Sequence, residues 1–228
     1  MKLAKDCLTI LNNFVNINKN LIIKQGKVIK TINAAKTVVA EAYLENEMPQ
    51  DFGISDLKNF LNTLNIFNDP ELEFYNDKIT IKEDNVEYDY YRASDAVLAD
   101  PKYGKQINVG DVACEFDLSK DQLKNIIKAA NTMKNLTASG TSGIRFYKNQ
   151  DSEIAVEAKL YKGDIAKNVY RLTLGKDSGL PDFDVMVDSS KFNLIEDDYR
   201  VILYKDRCLK MTGLNFPVTY IIAYEVTQ

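Results

Sequence analysis

The chain has 228 residues, 45% of them hydrophobic and 27% charged, an ordinary composition for a globular protein of one or two domains. It contains no histidine, which removes the Ser-His-Asp and Cys-His nucleophile systems and the commonest zinc sites. A net charge of −4 argues against a protein that grips nucleic acid over its whole surface, but it leaves room for one basic face on an acidic body.

Cys7, Cys114 and Cys208 are far apart and odd in number, and no CxxC or other metal spacing occurs, so a reduced, cytosolic chain is the simplest reading. No apolar run approaches the ~20 residues of a membrane span. The start, Met1-Lys2-Leu3-Ala4, lacks the apolar core of a signal peptide.

In chain order, Asp6 to about Asn18 reads as a helix, with Leu8, Leu11, Phe14 and Val15 on one stripe. "LIIKQGKVIKTI" (21–32) reads as a hairpin turning at Gln25-Gly26. "TVVAEAYL" (37–44) is a strand. "DFGISDLKNFLNTLNIF" (51–67) runs from strand to helix, capped by Ser55 or Asp56, with Leu57, Phe60, Leu61 and Leu64 buried. Alternating strands fill 71–91, with turns at Asn76-Asp77 and 83–85. Between Arg92 and Val109 the periodicity fails, and this stretch is the interdomain linker. The second half repeats the order: strand 112–117, helix 119–135, a small-residue turn, strands near 143–149, 153–160 and 168–174, strand into helix over 181–195, then three strands from 199 to 226.

The halves also echo each other in letters. "AKDCLTILNNFVNINKN" (4–20) overlays "SKDQLKNIIKAANTMKN" (119–135) without a gap at an offset of 115 residues, and "AEAYL" (40–44) meets "VEAKL" (156–160) at 116. A period this long exceeds a solenoid unit; chance is the alternative for six identities between two amphipathic helices, and the shared element order is the better evidence for two copies of one domain. The expected domains are 1–92 and 110–228, joined by 93–109.

On a helical wheel Lys120, Lys124, Lys128, Asn131 and Lys134 fall within an arc of roughly 120°, opposite Leu123, Ile126, Ala130 and Met133. The matching face of the first helix carries Lys5, Thr9, Asn12, Asn16 and, at its edge, Lys19, and is only weakly basic. Two readings fit these faces. One is an ordinary solvated surface, on which lysines at i, i+4 repel slightly. The other is a surface turned toward a phosphate backbone, where lysine is a mobile point charge and contact carries no sequence information.

The chain resembles the sliding clamps of T-even-type bacteriophages, the DNA polymerase processivity factors. "MKLAKDCLTILNNFVNIN", "AEA" (40–42), "DFGISDLKNFLNTL" (51–64) and "DPELE" (69–73) carry the likeness in the first half. "YRLTLG" (170–175), "FDVMVDSSKFNL" (183–194), "DYRVILY" (198–204) and "YIIAYE" (220–225) carry it in the second. The resemblance implies an α+β DNA clamp fold with two similar domains per chain, helices lining a hole, β-sheets outside, and a ring-shaped homotrimer closed by head-to-tail contacts. It implies sequence-independent binding of double-stranded DNA, a replicative polymerase and an ATP-dependent clamp loader as partners, and support of late transcription through viral factors. The setting would be the cytoplasm of an infected bacterium, with no membrane, cofactor, metal or catalytic residue. The DNA-facing residues would be Lys5, Asn12, Asn16, Lys19, Lys120, Lys124, Lys128, Asn131 and Lys134. Val97, Leu98, Tyr103, Tyr220 and Ile221 are candidates for a pocket that takes a partner's apolar tail, beside the linker and on the last strand. Ring closure would pair strand 86–91 with strand 168–174 of a neighbour.

Two rivals stand beside this. An enzyme would need converging groups, and Asp182/Asp184 and Asp197/Asp198 read as turn acids, while "SGTSG" (139–143) lacks the lysine and spacing of a phosphate loop. A non-ring scaffold or auxiliary DNA-binding module of the same fold is the other.

Overall fold

The structure, a computed structural model, describes residues 1–104, 107–135, 140–162, 168–176, 182–205 and 207–225. Of the small-residue turn at 137–143, positions 137–139 lie outside these residues. The chain divides into two compact units, Met1–Gln106 with Phe216–Tyr220, and Ile107–Asn215 with the stretch from Ile221 on.

In unit 1, helix α1 (Lys5–Phe14) is followed by strands β1 (Leu21–Ile23), β2 (Gly26–Ile32), β3 (Val38–Met48) and β4 (Phe52–Ile54). Helix α2 (Leu57–Leu64) and strands β5 (Glu71–Phe74), β6 (Lys78–Glu83) and β7 (Val86–Tyr91) complete it. Asp56 is the α2 cap, accepting from the Asn59 amide at 2.9 Å. The buried stripe of α1 is Cys7, Ile10, Leu11 and Phe14, with Leu8 and Val15 only at its margins. The helix also stops at Phe14, short of the Asn18 that periodicity suggested.

The expected hairpin over 21–32 does not form. β1 pairs antiparallel with β4, Leu21 opposite Ile54, while β2 pairs with β3. Lys24 and Gln25 divide the run between two sheets instead of turning it back on itself. Asp51 fixes the break, accepting from Lys24 Nζ at 2.7 Å and from the Gln25 amide at 2.8 Å.

Unit 2 begins with β8 (Val112–Leu118) and α3 (Lys120–Lys134), followed by β9 (Thr141–Lys148), β10 (Glu153–Lys162), β11 (Val169–Lys176) and β12 (Asp184–Asp188). β13 (Tyr199–Tyr204), β14 (Cys208–Gly213) and β15 (Val218–Ala223) close the chain, and β15 is divided between the units after Tyr220. One sheet runs β11-β10-β9-β12, and β13 lies between β8 and β14. β9 is unbroken and pairs on one side with β10 and on the other with β12, the work that β1 and β2 share in unit 1.

The helix expected after β12 is a single 3-10 turn, Ser189–Lys191, capped by Asp188 through the Ser190 amide at 2.8 Å. Phe192 leaves helical space at φ −87, ψ 50, and Lys191 Nζ reaches the Ala223 carbonyl at 2.9 Å. The counterpart of α2 is therefore vestigial.

The buried pattern also corrects the register of the repeat. Cys7, Ile10 and Phe14 of α1 take the places of Leu123, Ile126 and Ala130 of α3, an offset of 116 residues. This is the offset of the 40–44 and 156–160 echo, and the 115-residue overlay of the helices is one residue out.

The linker is strapped to unit 1. The Ala93 amide donates to the Gly53 carbonyl at 2.9 Å, and the Ala99 amide to Asn20 Oδ1 at 3.0 Å. Tyr103 Oη donates to the Ile22 carbonyl at 2.8 Å and accepts from the Lys30 amide at 2.8 Å. A Cβ at Gly53 would lie 2.6 Å from Leu98 Cδ1 and 2.8 Å from the Ala93 oxygen, so β4 admits the strap only because residue 53 has no side chain. We expect Gly53→Ala to lower stability by about 1–3 kcal/mol through this overlap. Urea unfolding checks it; an unchanged midpoint would show that the strap shifts without cost.

On β9 to β12 the charges are knitted across strands. Glu157 is 4% exposed and accepts from Arg171 Nε at 2.7 Å, Tyr147 Oη at 3.0 Å and Arg145 Nη1 at 3.2 Å. Burial alone would raise its pKa, but the hydrogen bonds from Arg171, Tyr147 and Arg145 outweigh it and hold the carboxyl below its ordinary value. A depressed carboxylate contributes stability above its unfolded value, and that contribution is lost as pH falls through the folded one. Glu157→Gln should cost about 2–4 kcal/mol at neutral pH, because cations stay behind without their partner. The gap from the parent chain should narrow below the ordinary glutamate value of 4.5. Denaturant unfolding at pH 7 and pH 3.5 reads both; a gap independent of pH would refute the ionic account.

Candidate nucleic-acid interface

α3 is a fifteen-residue helix held at both ends. Ser119 and Gln122 form a capping box: the Gln122 amide donates to Ser119 Oγ, and Gln122 Oε1 accepts from the Ser119 amide at 2.9 Å. Asp198 adds a third anchor, accepting from the Lys120 amide at 2.7 Å. Leu123, Ile126, Ala130 and Met133 are buried, and α3 packs on β9 and β10. That apolar stripe turns the opposite face outward, and Lys120, Lys124, Lys128, Asn131 and Lys134 are all exposed on it.

Their electrostatic state differs along the helix. Lys120 Nζ pairs with Glu196 Oε2 at 2.9 Å, which raises the pKa of the lysine and lowers that of the glutamate. Lys124 feels Glu196 at longer range without an ion pair. Among the described residues neither Lys128 nor Lys134 has an ion-pair partner. Sequence reasoning missed Glu196 and Asp198 as neighbours of this face, since both lie more than seventy residues away along the chain.

In unit 1, Lys5, Asn12, Asn16 and Lys19 are likewise exposed. The polar side chains of α1 turn back on the helix, however. Thr9 Oγ1 donates to the Lys5 carbonyl at 3.0 Å, Asn12 Nδ2 to the Leu8 carbonyl at 2.8 Å, and Asn16 Nδ2 to the Asn12 carbonyl at 3.5 Å. Asp6 stands beside Lys5, so the helix itself carries one charge of each sign.

The five candidates for a partner pocket have different surroundings. Val97 is 67% exposed on a one-turn 3-10 helix, Asp95–Val97, and Leu98 is half-buried against Gly53. Tyr103 is committed through its hydroxyl to Ile22 and Lys30. Tyr220 is fully buried, with its hydroxyl donating to Asn13 Oδ1 at 2.8 Å, so it offers no surface to a partner in this structure. Ile221, the next residue, is half-buried and belongs to unit 2. Alternation along β15 sends Tyr220 inward, a signal that an apolar strand gives only once its neighbours are known.

No group of three or more acids and cysteines converges on a metal-sized site among the described residues. Asp197, one of the acids weighed for chemistry, is buried and bound to the Asn215 amide at 3.0 Å and Asn215 Nδ2 at 2.7 Å, which fixes the turn before β15.

Residues 2–98 match the family described as DNA polymerase processivity factor. The sliding clamp of Vibrio phage KVP40 is 27% identical over 229 residues, covering 99% of this chain and 99% of that protein. The sliding clamp of Escherichia phage RB69 is 26% identical over 208 residues, covering 90% of this chain and 87% of its own. Among solved structures, that of the C-terminal region of FEN-1 bound to A. fulgidus PCNA superposes with a TM-score of 0.71 over 100% of this chain and 98% of that one, at 13% identity. The structural likeness establishes the DNA clamp fold. With two phage sliding clamps matching most of its length and the processivity-factor family matching residues 2–98, the chain is similar to the sliding clamps of T-even-type phages.

Proposed function

We propose that three copies of this chain close head to tail into a ring around duplex DNA, and that the ring tethers the replicative polymerase for processive synthesis. Each copy would contribute two clamp domains, residues 1–92 and 110–228, joined by 93–109. The lysine face of α3 supports this most. An acidic protein presents cations on one helix face, and past Lys120 no acid there pairs with them among the described residues. Lys5, Asn12, Asn16 and Lys19 of unit 1, with Lys120, Lys124, Lys128, Asn131 and Lys134 of unit 2, would face the duplex. Weak, water-separated contacts of this kind break and reform cheaply, so retention would come from encirclement and not from grip.

The sheet edges support closure. β7 ends the β5-β6-β7 sheet and β11 ends the β11-β10-β9-β12 sheet. Val86, Tyr88 and Tyr91 of β7 are exposed. β15, which holds the corresponding place at the end of the second three-strand run, does not stay free: within unit 1 the Tyr43 amide of β3 donates to the Pro217 carbonyl at 2.9 Å. By the repeat, β7 should find a comparable partner, and β11 of a neighbouring copy supplies an uncovered edge.

Val97 would be the exposed apolar contact for a polymerase tail, with Leu98 and Tyr103 holding the strap that presents it and Ile221 a further candidate. An ATP-dependent clamp loader and late-transcription factors would be further partners, and the cytoplasm of an infected bacterium the setting, as the resemblance to phage sliding clamps implies.

One preparation tests ring and lining together. The parent chain should have a native mass of about 78 kDa, three times its 25.9 kDa. Lys124→Glu/Lys128→Glu should keep that mass while processive synthesis falls at least ten-fold. A solitary parent chain would favour a non-ring module instead, and undiminished processivity would remove α3 from the lining.

A further inference from the structure

The two helices that would line the hole are not equivalent. α3 has four lysines and one aspartate, whereas α1 has one lysine and one aspartate. At the burial-matched offset of 116 residues, Lys120, Lys124, Lys128 and Lys134 fall opposite Ala4, Leu8, Asn12 and Asn18. None of these is basic, and Leu8 is itself half-buried.

Hydrogen bonding deepens the asymmetry. The Asn12 and Asn16 amide nitrogens and the Thr9 hydroxyl are used on the α1 backbone. What the asparagines keep for an outside ligand is chiefly the carbonyl oxygen, an acceptor like the phosphate oxygens it would meet, so contact would run through water. Elsewhere in unit 1, α2 adds Lys58, with Asp56 at its cap. In unit 2 the remnant of α2 adds nothing, because Lys191 is held by Glu225 at 2.6 Å and by the Ala223 carbonyl. The acids near α3 are Asp121, Asp198, which accepts from the Lys120 amide, and Glu196, which pairs with Lys120; Lys128 and Lys134 lie beyond their ion-pairing reach.

We propose that the electrostatic hold on duplex DNA is carried chiefly by Lys124, Lys128 and Lys134 of unit 2, while the unit 1 face, with Lys5 beside Asp6 and Lys19 beyond the end of α1, is a weakly cationic, largely water-bridged surface. This rests on the proposed encirclement of DNA. In a three-fold ring the duplex would meet three strongly cationic stations alternating with three weakly cationic ones. Fewer counterions would be released per ring than six equal stations would release, and the salt dependence would chiefly follow one helix type.

The experiment uses the full chain at a concentration where its mass is that of the trimer. Fluorescence anisotropy reports its association with a labelled blunt duplex of about 40 base pairs, titrated from about 20 to about 150 mM KCl. Two variants remove the same charge: Lys124→Gln/Lys128→Gln/Lys134→Gln from unit 2, and Lys5→Gln/Lys19→Gln/Lys58→Gln from unit 1. A third, Asn12→Lys, builds the missing counterpart of Lys128. The unit 2 variant should lose at least ten-fold in affinity at the lowest salt and more than half of the log-log salt slope. The unit 1 variant should lose no more than about a third as much on a logarithmic scale, and Asn12→Lys should steepen the slope. Equal losses in the two charge-matched variants would overturn the division. A parent trimer that shows no association with the duplex even at the lowest salt would instead overturn the encirclement on which it rests. Trimer mass, measured for every variant, ensures that lost binding is not lost assembly.

Discussion

An acidic chain can approach a polyanion only if its cations are segregated from its anions, and this segregation underlies the rest of the molecule. The strands neutralise themselves. Arg145 and Arg171 close on Glu157, Arg200 pairs with Glu115 and Asp117 across β13 and β8, and Lys78 with Asp89 across β6 and β7. Cross-strand neighbours stand close enough for such pairs, so a sheet can carry many charges and still present little field. α3 follows the opposite rule. Its lysines recur at helical spacing with a single acid, Asp121, at a complementary position to Lys124, and Lys128 and Lys134 keep their charge for something outside the chain.

Packing turns that pattern into a surface. The buried stripes of α1 and α3 fix each helix's rotation, and the exposed column follows from the side that is buried. The capping box and Asp198 add rigidity at the start of α3, where Lys120 sits and where Glu196 already spends one charge. The linker is equally determined. Gly53, Asn20, Ile22 and Lys30 hold it at four places, leaving Val97 as its prominent exposed apolar residue. A tether with this geometry behaves as part of unit 1 and can present a short apolar contact without folding first.

Much of this was legible in the sequence. Helices α1 to α3, most strands, the apolar faces of α2 and α3 and the exposure of the seven candidate DNA-facing residues within α1 and α3 follow from periodicity, while Asn16 and Lys19 are exposed beyond the end of α1. What escaped depended on long-range pairing. "LIIKQGKVIKTI" has the letters of a hairpin, yet Asp51, far along the chain, holds the Lys24-Gln25 break and sends β1 to β4. The end of the 181–195 stretch looks as helical as its counterpart, but it makes a single turn, with Phe192 outside helical space and Lys191 bound to the distant Ala223 carbonyl. Six identities made the 115-residue overlay attractive, although burial selects 116. Matching letters in two polar helices carry less weight than matching buried sides, because only the latter are constrained by the sheet beneath.

The central claim is that the ring holds DNA by topology, with α3 supplying a weak and mobile electrostatic contact. Retention on a closed circular duplex, measured after loading and then after a single restriction cut, tests this most directly. The account predicts that clamps stay on the closed circle through a wash at high salt and leave within the time needed to slide off once the circle is opened. Loss from the closed circle at high salt, or equal retention before and after the cut, would contradict it.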